Sequence, residues 1–374
     1  KVLGLWRAQN AEEFRRSDIN DGVSMFEQVI LVVGASGIIG RALVQNLADV
    51  SDCRVFAASR RPEEGLPGNV APYAIDLNNW QSADFEPLAS VTHMVYTAYV
   101  DGPTWEAQRQ PNTDMFRHAI DLVREACPHL SHVTLLQGTK AYGAHLGPFK
   151  TPAKETDPRI PGGYFYDDQF DIMVDHARMA NWTWTVLRPH VVIGPAFRSP
   201  LNLITVLGVY CSLLKAQGRP LVFPGPMAAF DALYQATDAG LLSRAISWSG
   251  RTSEAADEIF NITNGDYFRW RHVWPKIAAL FDMEVGGAEQ VDLVSTMKDV
   301  EPLWGELSAT HNLMIDDLSE LVSWSFANYV FGTTWDVMSD STKIRRHGFH
   351  EMLDSEKMLL DRLDELRMMR VIPS

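Results

Sequence analysis

Apolar and polar positions follow two different periods along the first half of the chain. Short apolar runs rich in Val, Ile, Leu and Ala predict buried strands, and stretches with one apolar face predict helices between them. The predicted strands cover residues 29–33, 54–58, 70–75, 93–97, 132–137 and 183–187, and the clearest helices cover 38–47 and 114–126. This alternation indicates an α/β fold built on a doubly wound parallel sheet.

The pattern loosens after about residue 195. The predicted elements there are helices over 201–214 and 237–248, a strand over 220–226 and an amphipathic surface segment over 351–369. We therefore expect the main α/β domain over 25–195. A smaller, mostly helical substrate region over 196–374 would be interleaved with it, and the polar residues 1–24 would form a non-catalytic extension.

The composition narrows the class of protein. Hydrophobic residues make up 46% and charged residues 21%, which is ordinary for an enzyme with a large core. The net charge of −14 would repel nucleic acid and anionic membranes, and no apolar run is long enough to cross a bilayer. Three scattered cysteines, and eleven histidines without a pair four residues apart, predict neither a disulfide framework nor a metal site. We expect a cytoplasmic protein.

A glycine-rich turn joins the first predicted strand to the first predicted helix. Its residues are Gly34, Ala35, Ser36, Gly37, Ile38, Ile39 and Gly40. Gly34 would allow the tight turn, Gly37 the approach of a pyrophosphate, and Gly40 the close packing of helix on strand. The amides of the first helical turn would face the phosphates. This predicts a Rossmann-type dinucleotide site, the alternative being a glycine turn that binds no nucleotide.

The end of the second strand distinguishes the two nicotinamide dinucleotides. Ser59, Arg60 and Arg61 stand there, and no carboxylate occurs before Glu63. An arginine suits the 2′-phosphate of NADPH, whereas NAD is usually held by an acidic residue. The sequence therefore favours NADPH, and the alternative is an exposed basic turn.

Most short-chain dehydrogenases carry a catalytic Tyr and, four residues later on the same helix, a Lys. None of the ten tyrosines of this chain has Lys at the fourth following position, so its catalytic residues cannot follow that pattern. The chain offers Lys140 after the fifth strand and Tyr166 at the start of a later helix instead. Taken singly, Lys140 could be a solvated loop charge and Tyr166 an ordinary helix residue.

These segments resemble the progesterone 5β-reductase and iridoid synthase (PRISE) family of atypical short-chain dehydrogenases/reductases. The resemblance runs from about residue 26 to the C-terminus and rests on segments 138–142, 147–149, 165–171, 188–189, 201–203, 260–266 and 347–349. The chain departs from the family pattern at Tyr99 (usually Trp), Ala141 (usually His), an extra Gly-Ala-His over 143–145, Asp167 (usually Tyr) and Phe170 (usually an acid). These departures bear on the substrate pocket.

The resemblance implies an extended short-chain fold in which Lys140 and Tyr166 form the catalytic pair. It implies NADPH-dependent reduction of the activated C=C bond of a small, apolar enone or enal by a homodimer. Tyr166 would donate a hydrogen bond to the enolate oxygen, and Lys140 would keep the local potential positive. Two alternatives stay open: a carbonyl reductase or epimerase-like enzyme, and a protein that senses NADP(H) without turnover.

Further site residues follow from the resemblance. The expected cofactor contacts beyond the glycine turn and second strand are Asp76, Leu77, Ala98, Tyr99, Gln137, Lys140, Tyr166, Val192, Ser199 and Leu201. Aromatic residues are frequent in the later segments, which could line an apolar pocket and could equally form a core. The expected substrate contacts are Tyr99, Phe149 and Phe326, and segments 225–231 and 323–331 are the expected mobile cover.

Overall fold

Seven parallel strands form the central sheet of the protein, which a computed structural model describes over residues 28–48, 50–63, 65–196 and 198–374. The strands are β1 Gln28–Val33, β2 Cys53–Ser59, β3 Val70–Ala74, β4 His93–Tyr96, β5 His132–Leu136, β6 Thr183–Pro189 and β7 Glu258–Ile262. Their order across the sheet is β7-β6-β5-β4-β1-β2-β3. The six predicted strands are confirmed. The seventh was missed, because its five residues include the polar Glu258 and Asn261 and follow helices of the second half.

Helices cover both faces of this sheet and build most of the second half. They are α1 Ile38–Leu47, α2 Arg109–Ala126, α3 Phe165–Ala180, α4 Leu203–Ala216, α5 Met227–Asp231, α6 Ala239–Ser249, α7 Trp270–Leu280, α8 Leu293–Thr296, α9 Glu301–His311, α10 Leu318–Leu321, α11 Trp324–Phe331, α12 Thr342–Arg346 and α13 Ser355–Met368. Short 3₁₀ turns occupy Leu77–Ser82, Glu86–Ser90, Thr139–Tyr142 and Ser253–Ala255. The predicted α/β class is confirmed.

Two apolar layers explain why most strand positions are apolar. One layer joins the sheet to α1 and α6 through residues such as Leu43 and Leu242, and the other joins it to α2 and α3 through Phe116 and Met173. All six positions of β1 are buried. A parallel sheet covered on both faces favours such uninterrupted apolar strands over an alternating pattern.

The second helix begins earlier than its apolar period predicts. It starts at Arg109 rather than near residue 114, so Pro111 lies in its first turn. Proline is tolerated there because the first amides of a helix have no partner within it. The polar first turn has no apolar stripe, which is why periodicity placed the start too late.

The second half packs its own core beside the sheet. The core surrounds α4, whose residues Leu203–Leu214 are all buried, and includes Trp270, Trp274 and Trp304. Three two-stranded sheets brace it: Val192–Ile193 with Thr237–Asp238, Leu233–Tyr234 with Phe268–Arg269, and Leu221–Phe223 with Val285–Ala288. Within the described residues, no helix is both long and apolar enough to cross a membrane. The proposed extension 1–24 lies outside the described residues.

The chain order of the sheet reverses at β1, which pairs with β2 on one side and with β4 on the other. Loops that leave neighbouring strands in opposite directions open a crevice at the carboxyl ends of those strands. The fold therefore provides a cleft where the glycine turn leaves β1.

Candidate active site

A cavity of about 1100 Å³ opens at the carboxyl ends of β1 to β6. Most of the predicted site residues line it: Gly34, Ser36, Gly37, Ile38, Ile39, Ser59, Arg60, Asp76, Leu77, Ala98, Tyr99, Gln137, Lys140, Tyr166, Val192, Ser199, Leu201 and Phe326. Three predicted residues, Gly40, Arg61 and Phe149, do not line it. One cleft thus brings together residues from six strand ends and from the second half.

The glycine turn forms one end of the cavity. Gly34 has φ +89°, and a β-carbon there would lie 2.7 Å from the backbone nitrogen of Ala98. A β-carbon on Gly37 would meet only the Gly34 carbonyl oxygen, at 3.5 Å, so the space above Gly37 is open. Gly40 lies beneath the turn, where a β-carbon would lie 2.3 Å from the same oxygen. The turn is therefore a cradle of backbone beside open space, the shape that a pyrophosphate needs.

The end of β2 exposes basic charge toward the cavity. Arg60 is exposed and lines the cleft, and Glu63 is paired with Arg41 of α1. After the neighbouring strand β3, Asp76 lines the cleft, and its Oδ1 accepts a hydrogen bond of 3.0 Å from the Asn78 amide. No carboxylate stands on β2 to repel a phosphate on this side.

Tyr166 lies in the first turn of α3, where two hydrogen bonds fix the backbone at the start of the helix. The Gln137 side chain donates a 2.8 Å hydrogen bond to the Tyr166 carbonyl oxygen, and Asp167 caps the helix by accepting from the Tyr164 amide at 3.0 Å. A β-carbon on Gly138 would lie 3.4 Å from the Tyr166 hydroxyl oxygen. The missing side chain at Gly138 thus leaves room for the hydroxyl group against the end of β5.

Lys140 stands in the 3₁₀ turn Thr139–Tyr142 that follows β5, and its side chain is partly buried in the cavity wall. Burial lowers the pKa of Lys140 to about 8, although the nearby Asp101 carboxylate opposes the shift. Burial raises the pKa of Tyr166, with Arg188 acting in the opposite direction. At neutral pH the site therefore combines a phenolic hydrogen-bond donor with a predominantly charged ammonium group.

Several cavity residues have no counterpart in the sequence predictions. They are Asp101, Trp105, Gln108 and His190 among others. Trp105 and Gln108 belong to the segment between β4 and α2, which has neither helical nor strand periodicity. The one available signal was position, because this segment leaves the carboxyl end of a sheet strand beside the crevice.

His190 is a buried neutral histidine of the cavity wall. Its Nδ1 lies 2.9 Å from the Thr139 hydroxyl, and its Nε2 has no partner among the described residues. Burial lowers its pKa to about 3. The structure places it next to the turn that carries Lys140.

The two expected covers behave differently. In segment 323–331, Ser323, Ser325, Phe326 and Tyr329 line the cavity, whereas no residue of segment 225–231 does so. Gly225 is instead packed against α11, where a β-carbon would lie 2.1 Å from the Phe331 carbonyl oxygen. Phe149, the other missing contact, packs against the apolar core of the second half.

Comparison with known proteins places this arrangement in a family. Residues 74–373 match the family described as PRISE-like Rossmann-fold domain. The chain belongs to this family. It is 30% identical to (S)-8-oxocitronellyl enol synthase from Nepeta cataria, over 100% of this chain and 98% of that protein. It is also 30% identical to 3-oxo-Δ4,5-steroid 5β-reductase from Arabidopsis thaliana, over 98% of this chain and 99% of that protein.

Solved structures show the same fold at low identity. The UDP-glucose 4-epimerase of Thermotoga maritima, solved with UDP-glucose, has a TM-score of 0.65 at 15% identity and covers 91% of this chain and 99% of its own. The UDP-glucuronic acid 4-epimerase of Bacillus cereus, solved with NAD, has a TM-score of 0.65 at 13% identity, covering 91% and 97%. The Rossmann-type architecture predicted from the sequence is thereby confirmed.

Proposed function

We propose that this protein is an NADPH-dependent oxidoreductase that reduces the activated C=C bond of an enone or enal. The observation that carries the proposal is the placement of Tyr166 and Lys140 on the wall of the same cavity as the glycine turn. The relatives named above include a steroid 5β-reductase and enol synthases of 8-oxocitronellyl substrates, which supports the same class of chemistry.

The cavity suits a nicotinamide dinucleotide. The open space above Gly37 lies at the N-terminus of α1, where the amides of the first helical turn, at Ile38 and Ile39, would face a pyrophosphate. Arg60 at the end of β2, with no acidic neighbour on that strand, favours the 2′-phosphate of NADPH. When bound, NADPH would supply the hydride.

Tyr166 would act on the carbonyl oxygen of the substrate. Reduction at the β-carbon develops negative charge on this oxygen, and the Tyr166 hydroxyl is a donor that stays protonated because burial raises its pKa. The Lys140 ammonium would add positive potential at the same wall. Such preorganised groups lower the barrier because they need no reorganisation as charge develops.

The substrate end favours small, apolar carbonyl compounds. Aromatic side chains dominate this part of the wall: Tyr99, Trp105, Phe165, Phe326 and Tyr329. Phe326 and Tyr329 come from α11, so we propose that residues 196–374 supply one side of the substrate pocket and residues 25–195 the cofactor side.

The test is NADPH oxidation with a panel of enones, enals, ketones and aldehydes, with identification of each product. We expect saturation of C=C bonds with the carbonyl retained, and a loss in kcat of about 10²–10³ in Tyr166→Phe, the usual effect of removing one oxyanion donor. Lys140→Met should also slow the reaction. Tyr267→Phe, at an exposed tyrosine outside the cavity, is the matched control. Reduction of carbonyls alone, or NADPH binding without turnover, would refute the proposal.

A further inference from the structure

Aromatic rings surround the Lys140 side chain, and Tyr99, one of the departures from the family pattern, is among them. Its Nζ lies 4.0 Å from the centroid of the Trp105 ring, 5.8 Å from that of Tyr99 and 5.9 Å from that of Tyr164. Within the described residues the ammonium group forms no ion pair and no hydrogen bond to another side chain. Aromatic ring faces are therefore its nearest stabilising contacts, and Trp105 is the closest of them.

Two further rings hold Trp105 in place through T-shaped contacts. The ring centroid of His145, in the extra Gly-Ala-His segment, lies 5.2 Å from that of Trp105, and the centroid of Tyr329 of α11 lies 5.6 Å from it. His145 also contacts Tyr164 at 5.0 Å. The inserted segment thus buttresses the ring that covers Lys140.

A hydrogen-bonded frame fixes the rest of this wall. Asp101 accepts hydrogen bonds from the Tyr99 hydroxyl at 3.0 Å and from Gln108 Nε2 at 2.9 Å. The Oε1 of Gln108 in turn accepts from the Tyr164 hydroxyl at 2.7 Å. The three aromatic residues around Lys140 are therefore joined through contacts that set their relative positions.

We propose that Trp105 is a positioning residue that holds the Lys140 ammonium group at the wall of the site through a cation–π contact. The proposal rests on the proposed function, because it assigns Trp105 a role through Lys140. A cation over the face of a tryptophan is attracted by the ring quadrupole, and the attraction strengthens as water is removed. Trp105 would thus stabilise the ammonium group without adding negative charge. A carboxylate in its place would cancel the positive potential of Lys140 that stabilises the substrate oxygen.

None of the neighbouring ionisable groups stabilises the charge of the Lys140 ammonium group as directly as the Trp105 ring does. Asp101 faces Lys140 and favours its charged form, but it is exposed to solvent and already accepts two hydrogen bonds. Burial and Lys140 lower the pKa of His145 to about 4, so it is neutral, although Glu106 opposes the shift. Burial also raises the pKa values of Tyr99, Tyr164 and Tyr166, so these phenols stay uncharged.

Trp105→Phe and Trp105→Leu test the proposal as a pair. Both side chains are smaller than tryptophan and admit similar amounts of water, but only phenylalanine keeps a ring face. Labelling with trace acetic anhydride across pH, followed by peptide mass spectrometry, measures the pKa of Lys140 without turnover. We expect the pKa of Lys140 to be higher in the Phe variant than in the Leu variant by about half a pH unit, roughly threefold in the proton-binding constant, because a ring face stabilises the charged form.

Kinetics give the second readout. We expect kcat for enone reduction to fall by about tenfold in the Leu variant and by about threefold in the Phe variant, because a misplaced group loses its transition-state contact. Trp184→Leu and Trp184→Phe are the controls, since Trp184 packs on Phe170 at 5.2 Å and lies outside the cavity. Both control variants should keep kcat within about twofold.

The outcomes separate the two proposals. Equal Lys140 pKa values and equal kcat in the Phe and Leu variants would overturn the role of Trp105, even if Lys140→Met abolishes turnover. If Lys140→Met reduces enones as fast as the parent protein, the catalytic pair itself is wrong. A higher Lys140 pKa with the Phe ring, together with the expected order of kcat, supports the positioning role.

Discussion

Arg60 and Arg61 are neighbours in sequence, but only Arg60 lines the cavity at the end of β2. We predict that Arg60→Ser raises the KM for NADPH about tenfold or more, because a charge-assisted contact to the 2′-phosphate is lost. The KM for NADH should stay nearly constant, because NADH carries no such phosphate. Steady-state kinetics with both dinucleotides measures the change.

Arg61→Ser is the matched control, since it removes the same charge one residue farther along the chain. Its KM for NADPH should stay within about twofold of the parent value. An equal loss in both variants would mean that overall basic charge, and not the position of Arg60, selects the dinucleotide.

Among single residues, the sequence could predict those whose roles depend on local geometry. Gly34, Gly37 and Arg60 stand at fixed offsets from strand ends, so a motif locates them. Trp105 and Tyr329 lie 224 positions apart in the chain and meet with ring centroids 5.6 Å apart. Their pairing depends on how α11 packs over the sheet, and no local period encodes that packing.

The join between β1 and α1 depends on Gly40, which does not line the cavity. A β-carbon on Gly40 would lie 2.3 Å from the Gly34 carbonyl oxygen and 2.7 Å from the Ala35 Cα, both backbone groups that cannot rotate away. We predict that Gly40→Ala lowers the free energy of unfolding by about 1–3 kcal/mol and weakens NADPH binding. Urea unfolding and a dinucleotide titration measure the two effects.

Gly305→Ala provides the control for this substitution. Gly305 also lies within a helix, α9, but a β-carbon there would meet nothing within 4 Å. Alanine should leave stability unchanged or raise it by up to about 1 kcal/mol, because it restricts the unfolded chain. A similar loss in both variants would show that the Gly40 clash is relieved by small shifts.

Strand and helix types were predictable where apolar periods are long, but element bounds were predictable only where a local motif marks them. The helix α1 covers the predicted residues 38–47, since Gly37 and Gly40 mark its start. The strand β7 was missed because pairing with β6 stabilises a segment whose own sequence is partly polar. Tertiary pairing, and not local propensity, determines that strand.

The whole molecule contains buried neutral histidines, which link its stability to pH. His132 of β5 has a pKa lowered to about 3 by burial and by the nearby His93, against 6.5 for an unshifted histidine. The unfolded chain therefore binds this proton more readily than the folded protein. The stabilisation is complete above pH 6.5 and is lost as the pH falls from 6.5 toward 3.

We predict that the melting temperature falls between pH 7 and pH 5, and that His132→Gln reduces this dependence. One such histidine changes the free energy of unfolding by up to about 1.4 kcal/mol per pH unit below 6.5. The exposed His129→Gln is the control and should leave the slope unchanged. Equal slopes in the parent protein and in both variants would contradict the assignment.

Isotope transfer shows most directly which carbon of the substrate receives the hydride. An enone would be reduced with NADPH deuterated at both C4 positions of the nicotinamide, and NMR would locate the label in the product. We predict deuterium on the former β-carbon with the carbonyl retained. Deuterium on a carbinol carbon with the C=C bond intact would contradict it.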